Sequence, residues 1–168
     1  WLHHAECWMT SETWQRGAKP FDPEILLGRD CVVGVDLARK GDIAAVVLVF
    51  PKNGGYYLLP RFFLQADGLA ERELRDHAPY AEWARTGLLT LTEGEVIDYR
   101  FIREQIKADS QRYEIREIGY DPWNAELLCN QQLGQEDGFE VIEVRQTMPS
   151  LGPPTAEFEK LMQAGRLW

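Results

Sequence analysis

A mixed α/β fold, with a five-stranded sheet in the order 3-2-1-4-5 flanked by helices, is what this sequence predicts, and three observations carry the prediction. Three apolar runs rich in β-branched and aromatic residues, Cys31 to Asp36, Ile43 to Phe50 and Tyr56 to Leu64, follow one another at hairpin spacing. Beyond them the period changes, and helical and strand-like stretches alternate as in crossover-connected strands. A chain of 168 residues that is 45% hydrophobic and 11% aromatic has the apolar content for one core and argues against disorder.

Residues 1–28 differ from the rest and read as an arm that packs onto a body: Trp1, Trp8 and Trp14 are spread through polar sequence, and Ala18-Lys-Pro-Phe-Asp-Pro23 breaks any helix. The chain opens on tryptophan, so a piece of a longer chain cut at a linker is expected. The first strand ends at Asp36, the second begins just after Gly41 and Asp42, and Pro51-Lys-Asn-Gly-Gly55 turns the chain into the third. Gln65 to Gly87 is a polar, helical excursion closed by the apolar run Leu88 to Leu91. Asp98 caps a helix with Phe101, Ile102, Ile106 and Tyr113 at helical spacing, leading into a fourth strand, Glu114 to Tyr120. Pro122 opens a helix carrying Trp123, Leu127, Leu128 and Leu133, with Gly138 beyond its end. A fifth strand, Phe139 to Val144, precedes a Pro149 to Pro154 loop; Thr155 then caps a last helix with Phe158, Leu161 and Met162 on one face, closed by Gly165.

A right-handed crossover places the fourth strand beside the first, and the winding reverses between them. Ligands of open α/β sheets bind beyond the strand C-termini at such a point. Asp36 and Asp121 stand at those two ends, and a buried strand has no structural use for a terminal carboxylate. Neighbouring strands are about 4.8 Å apart, so the two carboxylates can share or flank a pair of divalent ions about 3.5–4 Å from each other. All-oxygen ligands favour Mg²⁺ or Mn²⁺ over zinc.

Composition narrows the alternatives. A net charge of −9 works against a general nucleic-acid-binding surface, although an acidic metal site carries negative charge of its own. Cys7, Cys31 and Cys129 lack metal-ligand spacing, and their odd number suggests a reducing compartment without a disulfide frame. No apolar run reaches membrane-spanning length. No Gly-x-x-x-x-Gly-Lys-Ser/Thr motif occurs, so the chain itself is not expected to hydrolyse ATP.

Several stretches then carry a family likeness: Val33-Gly-Val-Asp-Leu-Ala38 with Asp42 six residues after Asp36, Gly54-Gly-Tyr-Tyr-Leu-Leu-Pro-Arg-Phe-Phe63, Pro79-Tyr-Ala-Glu-Trp83, Gly87-Leu-Leu89, Ile118-Gly-Tyr-Asp-Pro-Trp-Asn-Ala125, Pro153-Pro-Thr155 and Gly165-Arg-Leu167. Together with the element order, these resemble the RNase H-like nuclease fold and, more narrowly, the C-terminal nuclease domain of tailed-phage terminase large subunits. The resemblance implies an endonuclease that cuts concatemeric double-stranded DNA with two Mg²⁺ or Mn²⁺ ions, before and after an ATPase domain of the same polypeptide drives the DNA into an empty capsid. The small terminase subunit and the portal are the implied partners, in the host cell cytoplasm. It makes Asp36 the bridging ligand, Asp121 the ligand at the end of the fourth strand and Asp42 an accessory ligand. It also makes residues 1–28 the linker arm and 29–168 a nuclease domain truncated at its C-terminus. The family has a further aspartate on a C-terminal helix, which would lie beyond Trp168. Without it a metal is expected to bind more weakly, leaving this fragment slow or inactive.

Plainer readings stand beside these. Asp36 and Asp42 suit turn chemistry, Asp121 suits an N-cap before Pro122, and Asp98 is read as a cap alone. Arg39 and Lys40, between the hairpin carboxylates, can steer a DNA phosphate toward the metals, balance the acidic cluster, or form an ordinary solvated turn. Arg72, Arg75 and Arg85 alternate with Glu71, Glu73 and Asp76, which reads as a solvated helix face. Packing is expected for the Trp123 indole, site polarity for Asn124, and docking for the arm tryptophans; His3, His4 and His77 have no ligand spacing. Two rival functions share the fold: a resolvase or transposase-type nuclease, and a docking module whose acidic site is vestigial.

Overall fold

The computed structural model describes residues 8–17, 19–38, 41–123 and 125–168. Arg39, Lys40 and Asn124 lie outside them, as do Trp1, His3, His4 and Cys7. Strands β1 (Asp30–Asp36), β2 (Ala44–Lys52) and β3 (Gly55–Gln65) form an antiparallel meander. A short β4 (Thr90–Thr92) runs parallel to β3 at one edge; β5 (Glu114–Tyr120) runs parallel to β1, and β6 (Val141–Glu143) parallel to β5. The order β4-β3-β2-β1-β5-β6 keeps the expected arrangement and adds a strand to it. Five strands were expected because a three-residue edge strand shows no alternation to read, and it was absorbed in the run Leu88 to Leu91.

Helices α1 (Ser11–Arg16), α2 (Leu69–Asp76), α3 (Tyr80–Arg85), α4 (Tyr99–Ser110) and α5 (Met148–Gln163), with a 3-10 helix (Pro23–Leu26) and a π-helix (Glu126–Glu136), complete the elements of the described residues. Alternation on β1 turns Cys31, Val33 and Val35 inward, and β2 adds Ala44, Val46, Leu48 and Phe50. These pack in one cluster with Ile102 and Ile106 of α4 and with Leu128, Cys129 and Leu133 of the π-helix. Each large side chain buried there contributes roughly 1.5–3 kcal/mol. Asp98 caps α4 as expected, its carboxylate accepting from the Arg100 N–H at 3.0 Å.

Two helices depart from expectation. The segment after Pro122 winds as a π-helix, whose i→i+5 bonding brings Leu128 and Leu133, five residues apart, to the core side. Leu127 is consequently exposed rather than packed. The last helix starts at Thr147, whose hydroxyl accepts from the Ser150 N–H, and runs through Pro153 and Pro154 instead of beginning at Thr155. Proline φ is already helical, and both prolines are exposed, so the carbonyls they leave unpaired can reach water.

The arm is tied down. Thr10 caps α1, Leu26 is fully buried in the core, Phe21 packs on Tyr57 at 4.8 Å, and Trp8 stacks on Phe158 of α5. After α5, Arg166 to Trp168 lie beside β3, with Tyr56 and Trp168 exchanging backbone bonds in a parallel bridge at Leu167. The excursion has a satellite core of Leu64, Tyr80 and Leu89. Arg72 proves to be buried, donating to the carbonyls of Gln65 at 3.1 Å and Asp67 at 3.4 Å, while Arg75 and Arg85 pair with Asp76 and Glu82 on the surface. The solvated-face reading therefore holds for two of the three arginines. No helix among the described residues is long and apolar enough to cross a membrane.

Candidate active site

The inward and outward faces of β1 determine where Asp36 goes. Cys31, Val33 and Val35 fill the core, so Val32, Gly34 and Asp36 face outward. For Asp121 to share that face, β5 must have the right phase, and a bulge supplies it. Ile115 pairs with Cys31, but the next pair is Glu117 with Val32, leaving Arg116 as the extra residue. Beyond the bulge Ile118 and Tyr120 point inward, and Gly119 lies directly across from Gly34. Continuing that register by one residue sets Asp121 beside Asp36 at adjacent ends of parallel strands, about 4.8 Å apart.

Both carboxylates line one groove of about 320 Å³. Gly34, Ala45, Val47 and Gly119 form its floor on the sheet, and Val144, Gln146 and Leu151 its wall. A Cβ on Gly34 would meet nothing within 4 Å, so neither packing nor backbone conformation demands glycine there. An adjoining recess joins Asp121 to Trp123, Arg145 and Gln146. Asp36 is exposed and has no hydrogen-bond or ion-pair partner among the described residues. Asp121 is half-buried, and its Oδ1 accepts the N–H of Trp123 at 3.2 Å, which is the capping role read from the sequence. The indole of Trp123 is 64% exposed.

Asp42 lines neither recess. It is exposed in the hairpin leaving β1, and its field acts on the guanidinium of Arg75 in the excursion. Among the described residues no group of three His, Cys, Asp or Glu side chains comes together. The donor set is thus two carboxylates with no basic group paired to them, which suits a hard divalent cation that keeps several waters or phosphate oxygens in its shell. Sequence reading missed Arg145 and Gln146. The available signal was positional, since they follow β6, whose C-terminal end lies beside that of β5.

Comparison with known proteins identifies the family of the chain. The model of the terminase large subunit endonuclease domain matches residues 1–168. The terminase large subunit of Enterobacteria phage HK97 is 28% identical over 140 residues, which are 83% of this chain and 28% of that protein. Protein YmfN of Escherichia coli (strain K12) is 28% identical over 176 residues, covering 99% of this chain and 38% of that protein. The crystal structure of the HK97 bacteriophage large terminase superposes with a TM-score of 0.81 at 26% identity, over 95% of this chain and 33% of that one. The chain therefore spans about a third of the length of these relatives. With residues 1–168 matched by the family model and a solved relative superposing over 95% of the chain, this protein belongs to the family of terminase large subunit endonuclease domains.

Proposed function

We propose that the chain is a metal-dependent endonuclease domain that cuts double-stranded DNA for packaging, and that Asp36 and Asp121 hold the metal. The observation that carries this reading is the pairing of two unneutralised carboxylates at neighbouring strand ends on the outward face of the sheet. All donors are oxygen, so Mg²⁺ or Mn²⁺ is the ion proposed. Asp42 is assigned the accessory position, supported by its place in the hairpin that leaves Asp36.

Bound there, such ions would supply Lewis-acid charge to the attacking water and to the leaving 3′ oxygen. The chain's own groups bind and orient. Asp36 and Asp121 act as ligands and need not move protons. The Trp123 N–H fixes one oxygen of Asp121. Gly34 and Gly119 keep the groove floor free of side chains where a sugar-phosphate backbone must come close, and Arg145 offers a positive charge beside Asp121 for the phosphate. Few groups in the groove can read base edges, so sequence preference is expected to be slight. An ATPase domain of the same polypeptide, the small terminase subunit and the portal are the proposed partners.

The test is Mn²⁺-dependent nicking of supercoiled plasmid by the full-length protein. Asp36→Asn should abolish nicking while the protein stays folded; nicking at the wild-type rate would reject the assignment.

A further inference from the structure

Of the chain's 18 Lys and Arg residues, Arg39 and Lys40 lie outside the described residues, leaving 16. Ten of these pair with carboxylates, and Arg72 is buried against carbonyls. The remaining five, Arg16, Lys19, Arg29, Lys52 and Arg166, have no carboxylate partner among the described residues, and all five lie in one place. Lys52 and Lys19 stand over the Trp168 ring, 3.4 and 4.6 Å from its centroid, and Lys52 is also 4.4 Å from that of Tyr57. Arg29 lies over Tyr57 and donates to the carbonyl of Pro51. The guanidinium of Arg166 lies beside Gly54 in the β2–β3 turn, and Arg16 and Lys19 donate to the carbonyls of Gln163 and Gly165 at the end of α5. Ring faces and carbonyls hold these cations in position without neutralising them. On a chain of net charge −9, this is where the described cations without a carboxylate partner gather.

We infer that this cluster is a phosphate-binding exosite that holds the duplex remote from the cutting groove; the inference rests on the reading of DNA as substrate. Arg29 precedes β1 and Asp36 ends it, so about 20 Å of strand, at roughly 3.3 Å per residue, separates the two sites. A polyanion approaching an acidic protein is drawn to such a patch, which orients the duplex before the groove engages it.

The test is duplex binding by the full-length protein, followed by fluorescence anisotropy in EDTA so that neither metal nor cutting enters. Arg16→Gln with Arg166→Gln removes two exposed patch charges; Arg85→Gln with Arg100→Gln, the control, removes two exposed charges that are ion-paired. The slope of log Kobs against log salt should become shallower by about 1.8 in the patch variant, at roughly 0.9 per phosphate contact, and stay unchanged in the control. Arg16→Lys with Arg166→Lys should restore the slope, which separates lost charge from lost folding. Equal slopes in the patch and control variants overturn the exosite, as does a slope the lysine variant fails to restore; an acidic protein would then be the occupant to seek. Nicking by Asp36→Asn is scored separately, so failure of the exosite and failure of the Asp36 metal assignment are told apart.

Discussion

Replacing Asp36 by asparagine should produce a stability crossover that depends on metal. The side chain is exposed and has no partner among the described residues, so its loss breaks no contact. What it removes is repulsion. Two carboxylates about 5 Å apart repel by about 0.8 kcal/mol in water, from 332/(εr) with ε of about 80. Without metal at low salt, Asp36→Asn should therefore melt about 2–3 °C above the wild-type chain, at roughly 2–4 °C per kcal/mol for a chain of this size. Adding Mn²⁺ reverses the order. At a concentration of 100 times Kd, a bound ion stabilises the native state by about 2.7 kcal/mol, or roughly 5–10 °C, and the variant should gain little of this. Differential scanning fluorimetry with and without Mn²⁺ at low ionic strength reads both arms. If the metal-free variant melts well below wild type, the carboxylate is structural; if Mn²⁺ raises both proteins equally, Asp36 is not a ligand. Either result refutes the reasoning.

Other outcomes follow from the packing. Arg61 donates to Asp109 at 2.9 Å, and Asp109 is 2% exposed, so Arg61→Ala strands a buried charge and should cost about 3–5 kcal/mol in urea unfolding. Arg116→Ala, which breaks the exposed pair with Asp30, should cost about 1 kcal/mol or less; equal losses would contradict the burial argument. Burial pushes the thiols of Cys31 and Cys129 up to about 12, so neither should react with a maleimide in the native protein at pH 7.5, and both should react in denaturant, as mapped by mass spectrometry. The Arg103 guanidinium holds the Asp137 carboxyl below its ordinary range. The stability this adds is present above the unfolded value, about 3.9, and is lost as pH falls through the lower folded value. Arg103→Gln should flatten that part of the acid-unfolding curve; an unaltered curve would show that the pair does not act in this way.

Where local residue chemistry decides structure, the fold was legible. The β-branched runs and the Pro51 to Gly55 turn announced the meander, Asp98 announced its helix, and the order of elements announced the sheet. Where a weak local signal competes with a tertiary one, legibility failed. Pro153 and Pro154 looked like a loop because proline usually ends helices, yet the exposed start of α5 tolerates the missing bonds. Leu127 and Trp123 looked like core because α-helical spacing was assumed, and π-winding turned Leu127 outward.

By itself the sequence determined that two aspartates stand at the ends of two strands that topology makes neighbours. Whether they point the same way was not written in it, because a shift of one residue in a strand exchanges its faces. The bulge at Arg116 sets that phase, and it exists because Ile115, Ile118 and Tyr120 must all reach a core built by β1, α4 and the π-helix. The collection of these five cations around Tyr57 and Trp168 was likewise decided in three dimensions, since they come from the arm, the residue before β1, the end of β2 and the residues after α5, segments that only packing brings together.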